Sequence, residues 1–187
     1  MLSLQAQILF EMKRSKEYII PFKGLKLGKH QFKYLIEKAF FDTYRYNDFI
    51  DSNVEVTLDF NKKSTLFEFF FTMKGTVLIN CDVSGEEYNQ AIEGTLDLIV
   101  KFGDTYNNDH EEILIIPHNE FELDISQFIY ELIVLNVPIK RVHPGVLDGT
   151  LKSEALDKLK KIQEQAKNKD IDPRWDKLKE LLKDKNS

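Results

Sequence analysis

From Asn53 to Phe60 the chain alternates. Val54, Val56, Leu58 and Phe60 interleave with Glu55, Thr57 and Asp59. Successive side chains of a strand point to opposite faces, so this period of two predicts one buried and one wet face. NKKS reads as a tight turn, and TLFEFFFTM comes straight back, with Phe67, Phe69, Phe71 and Met73 on one face and Leu66 and Phe70 on the other. GTVLINC and QAIEGTLDLIVKF continue the pattern, the latter through Ile92, Leu96, Leu98, Val100 and Phe102. EEILIIP is one more strand, stopped at Pro117. Upstream, KEYIIPF is a short strand ending at Pro21, KGLKLGK a glycine-containing turn and HQFKYLI another strand, while EKAFFDTYRY fits a helical turn or a strand. Strands joined by short polar turns imply an antiparallel meander.

The period changes at Asp124. Ile125, Phe128, Ile129, Leu132 and Ile133 recur at helical spacing, with Asp124 placed to cap and Gln127 at the capping-box position; Pro138 ends the helix. HPGVLDGT reads as a loop. SEALDKLKKIQEQAKNKD is helical with a thin stripe of Leu156, Leu159, Ile162 and Ala166. In DPRWDKLKELLKDK, Asp172 and Pro173 suit the start of a last helix bearing Trp175, Leu178, Leu181 and Leu182. The pattern predicts an α+β fold: an antiparallel β meander with barrel-like curling as an option, one packed helix and a C-terminal helical appendage. The expected division is a β-rich domain over 12–144, an appendage over 145–187 and a non-structural leader over 1–11, with Met12 as a plausible initiator.

Composition narrows the function classes. The 187 residues are 42% hydrophobic and 30% charged, which supports a core and a well-solvated surface. One cysteine makes no internal disulfide, no apolar run approaches the roughly 20 residues of a membrane helix, and a cytoplasmic protein is expected. The net charge of −5 is unevenly spread. Residues 1–80 balance at +3, residues 81–139 at −12 and residues 140–187 at +4. An acidic whole argues against indiscriminate nucleic-acid coating, while leaving room for one basic face.

Little in the chain points to catalysis. Cys81 has no histidine near it in sequence to generate a thiolate, and it shares the apolar side of a strand with Val77 and Ile79, so it reads as a core or edge residue. One cysteine and four scattered histidines (His30, His110, His118, His143) form no metal-ligand set. GDTYNNDHEE, with Asp104, Asp109, Glu111 and Glu112, lacks the placement of a calcium loop and reads as a solvated hairpin loop. No catalytic residue, metal ligand, cofactor or small-molecule substrate is expected. KRSKEYIIPFKGLKLGKHQFK is more suggestive. It sets Lys13, Arg14, Lys16, Lys23, Lys26, Lys29 and Lys33 against Glu17 alone, with Phe22, Phe32 and His30 interleaved. Clustered cations suit phosphates and aromatic faces suit unpaired bases; the plainer reading is a solvated edge strand whose lysines discourage edge-to-edge pairing.

IPFKGLKLGKHQF, IEGTLDLIVKFG, FIYELIVLNVPIKRVHP and DPRWDKLKELL, in that order, resemble the YceD family, described as large ribosomal RNA subunit accumulation proteins. Members often carry C-x-x-C where this chain has CDVS. Cys81 matches the first cysteine and Ser84 replaces the second, so the resemblance implies a lost pair and a lost zinc motif. It also implies a bacterial, cytoplasmic, non-enzymatic factor in ribosome biogenesis that binds large-subunit rRNA, a ribosomal protein or an assembly factor. Candidate contacts are Lys23, Lys26, Lys29 and Lys33, then Lys140 and Arg141 beside Pro138, with Arg174 and Trp175 as a docking pair. The alternative is a protein-interaction module with no RNA contact, whose acidic middle grips a basic ribosomal or assembly protein.

Overall fold

The computed structural model describes residues 17–110 and 113–167. Their contacts divide into two compact units: residues 17–80 with 87–141, and residues 81–86 with 142–167. The leader over 1–11, the Met12 start and the Arg174–Trp175 pair lie outside the described residues.

The first unit is built on six strands: β2 (Gly28–Glu37), β3 (Asp51–Lys62), β4 (Leu66–Asn80), β5 (Glu87–Gly103), β6 (Asn107–His110) and β7 (Ile113–Pro117). Their order in the sheet is β2-β3-β4-β5-β7-β6, and β1 (Ile19–Ile20) pairs separately with β8 (Leu123–Asp124). From β2 to β5 the sheet is the expected meander, with Phe60 opposite Phe69 and Phe69 opposite Leu98. The alternation holds: Val54, Val56, Leu58, Phe60, Phe67, Phe69, Phe71 and Met73 are all buried, while Phe70 on the other face is exposed. Phe60 stacks on Phe69 at 4.5 Å between centroids, and Phe102 meets Phe67 edge-on at 5.1 Å.

Four expectations change in this unit. The sheet stays open, since β2 and β6 end the order without pairing to each other. The meander stops at β5, because β7 pairs with β5 in parallel and β6 pairs antiparallel outside β7. Part of the presumed solvated loop is therefore edge strand β6. Its polar residues Asn107–His110 suit an edge, whereas Leu114 and Ile116 of β7 need the buried inner position. Gln127 pairs with Glu131 rather than closing a capping box.

EKAFFDTYRY contains helix α1 (Lys38–Thr43), which buries Phe40 and Phe41. Helix α2 (Ser126–Leu135) buries Phe128, Ile129, Leu132 and Ile133, and the Asp124 carboxylate accepts the Ser126 N–H at 2.8 Å. Two glycines make room on the buried side. A Cβ on Gly75 would stand 2.2 Å from the Asn53 carbonyl oxygen, and one on Gly94 would stand 2.7 Å from the Asn136 side-chain amide just past α2.

In the second unit HPGVLDGT is not simply a loop: it contains the short helix α3 (Pro144–Leu147). Helix α4 (Glu154–Lys167) follows as expected. Ser153 caps α4 through its hydroxyl, which accepts the Leu156 N–H at 3.3 Å.

Candidate nucleic-acid interface

The lysine cluster lies at the open edge of the sheet. Phe22 is buried against Phe67 and Phe102, and the 3-10 turn Phe22–Gly24 around it fixes the start of the basic loop. The Lys62 ammonium donates to the carbonyls of Phe22 at 2.7 Å and Leu25 at 2.8 Å, and the Lys23 N–H donates to the Phe121 carbonyl at 3.2 Å. His30 Nε2 meets the Lys26 carbonyl oxygen at 2.8 Å. These contacts tie the loop to Lys62 of β3, to Phe121 and to His30 of β2.

Lys23, Lys26, Lys29 and Lys33 are all exposed. Lys29 and Lys33 share the outer face of β2, about 13 Å apart along the strand. Two acids nearby have partners of their own. Asp59 accepts from Gln31 at 2.8 Å, and Glu68 pairs with Lys63 and Asn61, which lowers its pKa. Among the described residues none of the four lysines is in an ion pair. On the opposite face of β2, His30, Phe32 and Tyr34 are half-buried, since among the described residues no strand lies outside β2 to cover them.

Lys140 is exposed as well, beside the fully exposed Ile139. Arg141 is engaged: its guanidinium donates to Asp48 at 3.1 Å. The structure thus brings Lys23, Lys26, Lys29 and Lys33 together on one edge and commits Arg141 to an internal bridge. It also shows what local sequence could not: Lys62, at the end of β3, secures the basic loop although Phe22 lies 40 residues away.

Cys81 stands at the turn after β4, only 3% exposed. Its sulfur accepts the N–H of Ser84 at 3.4 Å and of His143 at 3.3 Å. Burial pushes the thiol pKa up. The opposing N–H donors, that of His143 foremost, favour the thiolate and bring the value down to about 7. The polar groups next to the sulfur are bonded within the chain. The Ser84 hydroxyl accepts the Glu86 N–H, and His143 Nδ1 accepts the Gly145 N–H at 2.8 Å. No group of three His, Cys, Asp or Glu is placed to hold a metal among the described residues.

Residues 70–182 match the sequence model of the family described as "Large ribosomal RNA subunit accumulation protein YceD", which is more than half of the chain. The chain belongs to the YceD family. No curated protein and no solved structure matches it. The match takes in IEGTLDLIVKFG, FIYELIVLNVPIKRVHP and DPRWDKLKELL, while IPFKGLKLGKHQF lies upstream of it. The lysine edge therefore belongs to the part of this YceD protein outside the match, and Lys140 to the part within it. The family is described by a role in large-subunit rRNA accumulation and not by a reaction. Among the described residues no helix is long and apolar enough to cross a membrane.

Proposed function

We propose that this YceD-family protein supports accumulation of large-subunit rRNA as a non-enzymatic cytoplasmic factor that contacts the RNA through Lys23, Lys26, Lys29 and Lys33. The observation that carries the reading is the set of four exposed lysines, without ion pairs among the described residues, on a loop and edge strand held by Lys62. Extended cations along an edge strand and its anchored loop suit a phosphate backbone. Lys140 is a second, separate cation. Arg174 and Trp175, inside the family match, are the docking candidates for a ribosomal protein or assembly factor.

The test is a fluorescence-anisotropy titration of the full chain with single-stranded fragments of large-subunit rRNA over a range of salt. Four phosphate contacts give a log–log salt slope of about −3, and Lys23, Lys26, Lys29 and Lys33 changed together to Glu should abolish it. An unchanged slope in that variant would refute the proposed contact.

A further inference from the structure

Two adjoining cavities lie on the first unit around the β1–β8 pair. One, about 450 Å³, is lined in part by Glu17, Tyr18, Glu37, Phe40, Tyr44 and Asp124. The other, about 590 Å³, includes Tyr106, Glu120 and Glu122. They share Tyr44, Asp124 and Ser126 and so form one groove. Among the described residues neither has a Lys, Arg or His in its wall. Its five carboxylates (Glu17, Glu37, Glu120, Glu122, Asp124) are in no ion pair among the described residues. Lys38, next in sequence to Glu37, is turned to Asp42 at 3.4 Å and to the Tyr46 carbonyl at 3.3 Å.

The walls are aromatic as well as acidic. Tyr18 meets Phe40 edge-on at 5.0 Å, Phe40 lies 5.4 Å from Tyr44, and Tyr106 is 60% exposed. The surroundings of Tyr34 and Tyr44 disfavour the phenolate, burial first. Burial first, and then the Glu17 charge, raises the pKa of Tyr34 to about 12; burial and then the Asp124 and Glu131 charges raise that of Tyr44. Carboxylates beside ring faces suit the long apolar stems and cationic heads of lysine and arginine.

We propose that this groove docks a basic polypeptide segment of a partner protein, its Lys and Arg side chains set between the carboxylates and the rings. Charge complementarity selects this occupant: nucleic acid and acidic peptides meet five like charges here. The site is distinct from the lysine edge and stands or falls separately from the RNA contact.

The probe is a fluorescein-labelled nonapeptide of repeated Lys-Arg-Ser, titrated into the full chain by anisotropy. Glu17→Gln, Glu37→Gln and Glu120→Gln together should weaken binding about tenfold, and Tyr106→Ala about threefold. Glu55→Gln, Glu93→Gln and Asp97→Asn, on the outer sheet face, remove the same charge and should leave it within about twofold. The lysine-edge Glu variant should retain the peptide. Circular dichroism checks that each variant folds. Equal losses in the groove and outer-face sets would mean non-specific charge attraction and overturn the proposal, as would no loss in the groove set. Binding that appears only after residues 1–16 are removed would assign the groove to the chain's own Lys13, Arg14 and Lys16, and would overturn it too.

Discussion

Cys81 shows how one residue's chemistry depends on a distant one. Its burial was legible from the apolar alternation of Val77 and Ile79. Its hydrogen bond from the His143 N–H was not, because that donor is 62 residues away. The folded pKa of about 7 lies below the ordinary 9.0, so folding favours the thiolate. The stabilisation is present above about pH 9 and is lost as pH falls through about 7. Unfolding midpoints in urea should therefore rise between pH 7 and 9, and Cys81→Ser should flatten that rise; equal slopes in the two proteins would contradict the assignment. With Ser84 and His143 committed to other bonds, elemental analysis should find no stoichiometric zinc. Gly75 gives the sharpest single-residue test of packing. Its Cβ would strike the β3 backbone, so Gly75→Ala should cost about 2–4 kcal/mol in urea unfolding. Gly24→Ala, with nothing within 4 Å, should cost far less.

Among elements, the long strands were legible because one face of each is continuously apolar. The exchange of β6 and β7 was not. Alternation shows which face a strand buries, but not which strand lies beside it. Only the contrast between polar Asn107–His110 and apolar Ile113–Ile116 hinted that the second strand belongs inside. The helical ambiguity of EKAFFDTYRY was settled by its two adjacent phenylalanines, both buried from α1. Sequence grouped Gly94 and Asn136 in two separate stretches, and the structure makes them one contact. Asn136 Nδ2 also donates to the Leu132 carbonyl at 2.8 Å. Gly94→Ala should displace that amide and cost about 1 kcal/mol, the worth of one hydrogen bond. Combining it with Asn136→Ala should cost less than the two single changes added. Strict additivity in a double-mutant cycle would show that the contact carries no energy.

On the scale of the whole molecule, the uneven charge read from sequence takes spatial form. The lysine edge and the acidic groove occupy different parts of one unit, which suits a factor that meets RNA and a basic protein together. The lysine cluster was legible as a run of cations. Its anchoring was not, since it depends on Lys62. The groove was missed because Glu17, Glu37 and Asp124 come from three separate segments that meet only in the fold. Helix α4 presents mostly exposed residues, and the division proposed over 12–144 and 145–187 predicts that the β-rich part folds without the appendage. Circular dichroism of a chain ending at residue 144 should show a cooperative melt; a non-cooperative one would place residues 145–187 in the core.

The central claim is that large-subunit rRNA accumulates through the lysine edge. The most direct measurement replaces the chain in growing cells with the Lys23, Lys26, Lys29 and Lys33 to Glu variant and compares large- with small-subunit rRNA at matched protein level. The account predicts a fall in the large-subunit share approaching that of cells lacking the protein. An unchanged ratio would contradict it.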